Sequence, residues 1–129
     1  MTIATSLRKV ARKLISDFGN TGLLYTYSSA TKTENTEGDI TVTNWGTGVT
    51  MVSVDGSFVL NALSLQSQGI ESMSSDEKAV MDSTTIAVND RLTLNSINYK
   101  VTQIKPVIID DTLVVQFVSF EEVTNTTNW

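Results

Sequence analysis

Residues 3–18 read IATSLRKVARKLISDF, and their spacing decides the fold class. Ile3, Leu7, Val10, Ala11, Leu14, Ile15 and Phe18 recur at intervals of three and four, which puts them on one face of an α-helix. Thr5 or Ser6 can cap its start, with Thr2 as an alternative first turn, and Gly19-Asn20 is a natural stop. Arg8, Lys9, Arg12 and Lys13 take the other face, so four of the chain's 9 basic residues sit on one helix whose single acid is Asp17. No later segment offers a comparable stripe, and the remainder reads as strands.

Leu23 to Ser29 alternates and carries Tyr25 and Tyr27, which suits a half-buried strand. Thr31 to Gly38 has no large apolar residue and reads as a loop. Ile40 to Trp45 and Val49 to Val54 alternate again on either side of Gly46 and Gly48, and Asp55-Gly56 is a tight-turn signal. Phe58 to Leu65 is apolar with mixed period, which leaves strand and short helix open. Gln66 to Lys78 is polar and reads as an exposed loop leading into a short strand, Ala79 to Met81, and the turn Asp82 to Thr85. Leu92 and Leu94, a turn at Asn95 to Asn98, and Tyr99, Val101 and Ile104 form a hairpin that Pro106 is expected to end. Asp110-Asp111 turns the chain into the β-branched and aromatic run Leu113 to Phe120.

One helix followed by six to seven short strands, with no crossover helix for parallel pairing, predicts a mainly β fold. The expected architecture is a small antiparallel β-barrel or sandwich with the N-terminal amphipathic α-helix packed on it. The 129 residues fit one domain: helix about 3–18, barrel about 22–122 and a polar tail at 123–129.

Composition narrows the chemistry. Fourteen acids against 9 bases give a formal net charge of -5, where a general nucleic-acid binder is normally basic. Cysteine and histidine are both absent, which removes disulfides, the usual zinc sites, a thiol nucleophile and the one side chain that titrates unperturbed near neutrality. No apolar stretch approaches the roughly 20 residues that span a bilayer as a helix, and no signal-peptide pattern opens the chain, so neither membrane nor export is expected. Asp110-Asp111 and Glu121-Glu122 are adjacent pairs, and neighbours on a strand point to opposite faces, so they read as turn and rim residues. Phosphate-binding glycine loops, nucleophile elbows and calcium loops do not occur. No enzymatic activity, cofactor or metal is expected.

The candidate functional residues are therefore surface ones. The basic helix face, Arg8, Lys9, Arg12 and Lys13, reads either as ordinary solvated charge or as a docking face on an otherwise acidic domain. Trp45 is a barrel-end cover, a protein contact or a ligand-stacking ring, and Trp129 on its polar tail is either disordered or anchored on a neighbouring subunit. Polar loops containing Asn44, Gly46 and Gly48, and Gln66, Gln68, Glu71, Asp76 and Glu77, are candidates for facing a channel or docking.

The order of segments resembles the small neck proteins of tailed bacteriophages, the head-closure or head-tail adaptor (stopper) family. The resemblance rests on the helix Ser6-Leu-Arg-Lys-Val-Ala-Arg-Lys-Leu-Ile-Ser-Asp-Phe-Gly19 and on Gly69-Ile-Glu-Ser-Met-Ser-Ser-Asp-Glu-Lys-Ala-Val-Met81. It rests also on Val88-Asn-Asp-Arg-Leu-Thr-Leu-Asn-Ser-Ile-Asn-Tyr-Lys-Val-Thr-Gln-Ile-Lys-Pro-Val107 with the final strand Thr112 to Phe120, and it spans most of Leu7 to Val123. The chain departs from the family in having Asn95-Ser96-Ile97-Asn98 where a turn glycine is common, and in a longer Asp39 to Phe58 segment.

The resemblance implies a subunit of a homo-oligomeric ring, hexamer or dodecamer, made in the host cytoplasm and built into the virion at the head-tail junction. Such a ring lies below a portal-side connector and above a tail-completion protein, retains packaged DNA and gives the tail a docking platform. Net acidity suits a lumen through which double-stranded DNA passes without being held. A tail-completion or tail-terminator ring is the alternative within virions; those usually place the main helix between strands. A small carbohydrate-binding module stacking ligand on Trp45, Tyr25 and Tyr27 is the alternative from another class.

Overall fold

In the computed structural model, which describes residues 3–63 and 77–123, helix α1 (Ile3–Phe18) precedes every strand. Strand β1 (Asn20–Tyr25) and a 3-10 turn (Tyr27–Ser29) follow, then β2 (Thr31–Glu34), β3 (Ile40–Asn44) and β4 (Val49–Asp55). A short helix α2 (Gly56–Ala62) leads towards β5 (Glu77–Met81), β6 (Arg91–Leu94), β7 (Ile97–Ile109) and β8 (Thr112–Glu122). Six strands close an antiparallel barrel in the order β1-β4-β5-β8-β7-β6, while β2 and β3 form a separate two-stranded sheet.

Closure comes from pairing Leu23, Leu24 and Tyr25 of β1 with Thr93, Leu92 and Arg91 of β6. Gly22 makes that approach possible: a Cβ there would lie 2.6 Å from the Thr93 carbonyl oxygen and 2.5 Å from Leu94 Cδ2. Two tight turns hold the long strands in register. Asn95-Ser96 between β6 and β7, and Asp110-Asp111 between β7 and β8, all have positive φ, at 51°, 67°, 49° and 62°. Paired left-handed residues match the twist of a two-residue hairpin, and Asn and Asp tolerate that region better than most side chains.

The strand alternation splits the core into two layers. Leu24, Met51, Val80, Leu92, Leu94, Val101 and Val118 fill the barrel. Ala79 and Phe117, which precede Val80 along β5 and Val118 along β8, point outward and pack with Val54, Val107 and Val115 against the helices. Helix α1 contributes Ala4, Ala11 and Ile15 to this outer layer, and α2 contributes Val59 and Leu60. Each layer buries aliphatic surface worth about 25 cal/mol per Å², so both the lumen-filling and the helix-covered faces stabilise the barrel.

The structure matches the expected mainly β barrel with its N-terminal helix, and it corrects several local readings. Thr31 to Glu34 is a strand, not a loop; both of its faces meet solvent, so no apolar alternation marks it. Asp55-Gly56 is no hairpin turn, because Gly56 opens α2, which settles the mixed period of the Phe58 segment. Strand β1 ends at Tyr25, earlier than the alternation through Ser29 suggested. Pro106 does not end its strand but pairs with Gln116 inside β7. Beyond Lys100, β7 has no further β6 partner, so the proline sits along a sheet edge where a missing donor is tolerated. Glu77 and Lys78 belong to β5.

The helix stripe is also divided differently from its sequence reading. The small residues Ala4 and Ala11, with Ile15, seat α1 on the barrel; Ile3, Val10 and Phe18 remain 56%, 46% and 62% exposed. The larger apolar side chains therefore lie about a quarter-turn round the helix from the buried line.

Candidate functional site: a projecting arm and its root

The β2–β3 hairpin is inserted between β1 and β4 and projects from the rim of the barrel. Its tip is organised by Asn35, whose side-chain oxygen accepts the backbone N–H groups of Glu37 and Asp39, each at 2.9 Å. Gly38, with φ of 88°, completes the turn, donating its N–H to the Asn35 carbonyl at 3.1 Å. Most of residues 33–41 are exposed, and Val42 is the arm's one buried side chain. The arm carries Lys32 against Glu34, Glu37 and Asp39, so it is acidic.

At the root the arm is fastened by an aromatic and ionic cluster. Trp45 packs on Tyr27 with ring centroids 6.0 Å apart at 54°, and the Arg91 guanidinium lies 4.9 Å from the Trp45 ring centroid. Lys32 covers the Tyr27 ring at 4.5 Å. Asp90, only 2% exposed, accepts the Tyr27 backbone N–H at 2.9 Å and the Ala87 backbone N–H at 2.8 Å through its two carboxylate oxygens. It thereby ties the entry of the arm to the β5–β6 connection and to the start of β6. Burial pushes the Arg91 pKa down, partly offset by the neighbouring Asp90 side chain; a guanidinium stays protonated through such a shift. Gly46, with φ of 78°, turns the chain at the exit of β3, and its N–H donates to Asn44 Oδ1 at 2.8 Å. Gly48 lets the chain pass the Tyr25 ring, which a Cβ would approach to 2.9 Å.

Beside the root a rim cavity of about 410 Å³ is lined by Leu24, Thr26, Val49, Met51, Ser83 and Thr84, among others. Hydroxyls and aliphatic carbons dominate this lining, which contains no ionisable side chain. Among the described residues no group of three or more acids is placed to hold a metal ion, and no helix is long and apolar enough to cross a membrane.

The basic helix face is partly committed within the molecule. Arg12 donates from Nε and an Nη to both Asp82 carboxylate oxygens, each at 2.7 Å, fastening α1 to the β5–β6 connection. These hydrogen bonds hold the Asp82 pKa below its ordinary range, against the opposing effect of desolvation and with a smaller pull from Arg8. Lys13 pairs with Asp17 at 3.1 Å along the helix, and Lys9 is exposed. Asn44, Trp45, Gly46 and Gly48 lie together at the arm root, where the Trp45 ring packs on Tyr27 and meets the Arg91 guanidinium. Glu77 lies opposite Ser119 within the sheet and is not a loop residue. Gln66, Gln68, Glu71, Asp76 and Trp129 lie outside the described residues.

Sequence reasoning missed the arm and the role of Asp90. The signal for the first was Asn35 with Gly38 three residues later, an Asx-type turn between two threonine-bearing segments. No family model matches the chain, and no curated protein matches it either.

Proposed function

We propose that this protein is a structural, non-enzymatic virion protein of a tailed bacteriophage: a head-closure or head-tail adaptor ring subunit. The observation that carries this reading is the acidic β2–β3 arm, which extends from a closed barrel as a sheet of its own. A polar two-stranded arm gains little stability alone, and its retention makes sense where a neighbouring molecule receives it. The segment order supports the same reading, since α1 precedes every described strand, the arrangement expected of head closure over a tail terminator. Net acidity fits a ring that retains DNA by occluding its path while leaving the phosphate backbone ungripped during ejection.

In this reading the ring sits in the neck, below the portal-side connector and above the tail-completion protein. A carbohydrate-binding role draws less support: Trp45 and Tyr27 are inclined at 54°, with one face of each ring taken by Arg91 or Lys32, so they offer no flat stacking platform. Disrupting the gene in the encoding phage tests the proposal. Heads that package DNA, then lose it and fail to join tails, are the expected product. Full, tailed particles lacking the protein refute it.

A further inference from the structure

Helix α1 leaves a second surface unused. Ile3, Val10 and Phe18 stand on one line, 56%, 46% and 62% exposed, with half-buried Leu7 and Leu14 between them. Phe58 of α2, 42% exposed, extends the line by packing against Phe18 at a centroid distance of 5.6 Å. A contiguous apolar strip of this kind is a characteristic of contact surfaces, whereas scattered exposed residues are not. Exposed Lys9, and Lys13, one turn from Val10 and paired with Asp17 at 3.1 Å, border the strip.

The β2–β3 arm is complementary in both respects. Ile40 is its exposed large apolar residue, at 57%, paired across the hairpin with Glu34 and next in sequence to Asp39, with Glu37 in the turn, so the arm is negative near it. The two surfaces lie apart on the molecule. Helix α1 packs on β8, β4 and β5, whereas the arm departs beyond the last residue of β1, Tyr25, and forms a sheet of its own. Two complementary patches at separate places on one chain make a heterologous contact, which closes into a ring or runs on as a filament.

We infer that the β2–β3 arm of each copy docks on the α1 apolar strip of the next, with Ile40 against Val10 and the arm's acids beside Lys9 and Lys13. The inference rests on the ring reading above and adds the surface that builds the ring. Contact is head to tail: each molecule gives an arm and receives one. The apolar strip supplies the attraction, and the charges set orientation and exclude helix-to-helix pairing, since two α1 faces would bring like charges together.

The absence of native cysteine allows a direct test. Val10→Cys and Ile40→Cys are made as separate full-length proteins, mixed at millimolar concentration and oxidised, and the same pair is placed together in one chain within assembled particles. Disulfide-linked dimers that join one variant to the other, outnumbering either homodimer, and a cross-linked ladder in particles, are expected. A majority of homodimers of the Val10→Cys protein, or no mixed product, overturns the inference. A companion measurement guards against cysteine-specific effects: Lys9→Glu with Lys13→Glu weakens self-association by about tenfold or more, as does Glu34→Lys with Glu37→Lys. Mixing those two variants restores association, because every arm then finds a helix of opposite charge on the other variant. Unchanged association in the charge variants counts against the docking. If particles contain the protein as a ring but give no cross-link, the docking fails while the neck assignment stands; if particles need no such protein, the assignment itself fails.

Discussion

Replacing Asp90 by alanine removes the two acceptors that fasten the arm root, and the size of the loss follows from the geometry. The carboxylate takes the Tyr27 and Ala87 N–H groups at 2.9 and 2.8 Å, and the residue is 2% exposed, so water does not readily replace it. The backbone bonds of the same residue survive: its N–H still donates to the Ala87 carbonyl at 3.1 Å, and its carbonyl still accepts the Val101 N–H at 2.9 Å. The substitution thus isolates two side-chain hydrogen bonds to a buried carboxyl group. An unsatisfied buried donor costs about 1–3 kcal/mol, so the two together give roughly 2–6 kcal/mol for Asp90→Ala. Asp90→Asn keeps one acceptor but turns an amide donor towards the other N–H, so it recovers less than half of the loss. Urea unfolding at unchanged slope, with melting temperature falling by about 4 °C per kcal/mol, measures both variants. An Asp90→Ala protein within about 0.5 kcal/mol of the parent would refute the role given to this carboxylate.

Gly22→Ala is expected to cost about 2–4 kcal/mol, because its methyl meets the Thr93 carbonyl at 2.6 Å where β1 and β6 close the barrel; an unchanged thermal midpoint contradicts that. Asp82→Asn is expected to flatten the acid limb of the stability profile. The Asp82 pKa is lowered in the folded state, so its contribution is present above the ordinary carboxylate pKa and lost as pH falls through the folded value. Urea midpoints of both proteins, compared at neutral and at strongly acidic pH, decide the point: equal pH dependence rules it out. Trp45→Leu removes the ring between Tyr27 and Arg91, so amide exchange in residues 31–44 accelerates while barrel strands stay protected. Uniform acceleration across the barrel would mean that Trp45 belongs to the global core.

Sequence periodicity was informative wherever one face of an element is buried and the other wet. The α1 repeat and the alternation at Leu92 and Leu94 report packing against a core, while the unbroken β-branched and aromatic run Leu113 to Phe120 marks a strand whose middle is buried on both faces, and these elements stand where the sequence put them. The arm escaped because both faces of Thr31 to Glu34 are solvated, leaving no alternation to read. Asp90 was legible only as an acid before a strand; its partners Tyr27 and Ala87 meet it through backbone N–H groups, which carry no residue signature. The division of the α1 stripe was hidden for a similar reason. Periodicity locates an apolar face, but Ala4 and Ala11 sit closest to the sheet because small side chains permit close approach, and this displaces Ile3, Val10 and Phe18 towards solvent. Trp45 was visible as unusual, yet its partners come from distant segments, at Tyr27 and Arg91.

The most direct measurement of the central proposal is a reconstruction of the neck from intact particles, at a resolution that separates strands. Six or twelve copies of this barrel, arranged with cyclic symmetry between connector and tail-completion protein around the DNA path, are the expected result. A neck whose density is fully accounted for by other proteins, with this chain absent from the purified particle, contradicts it.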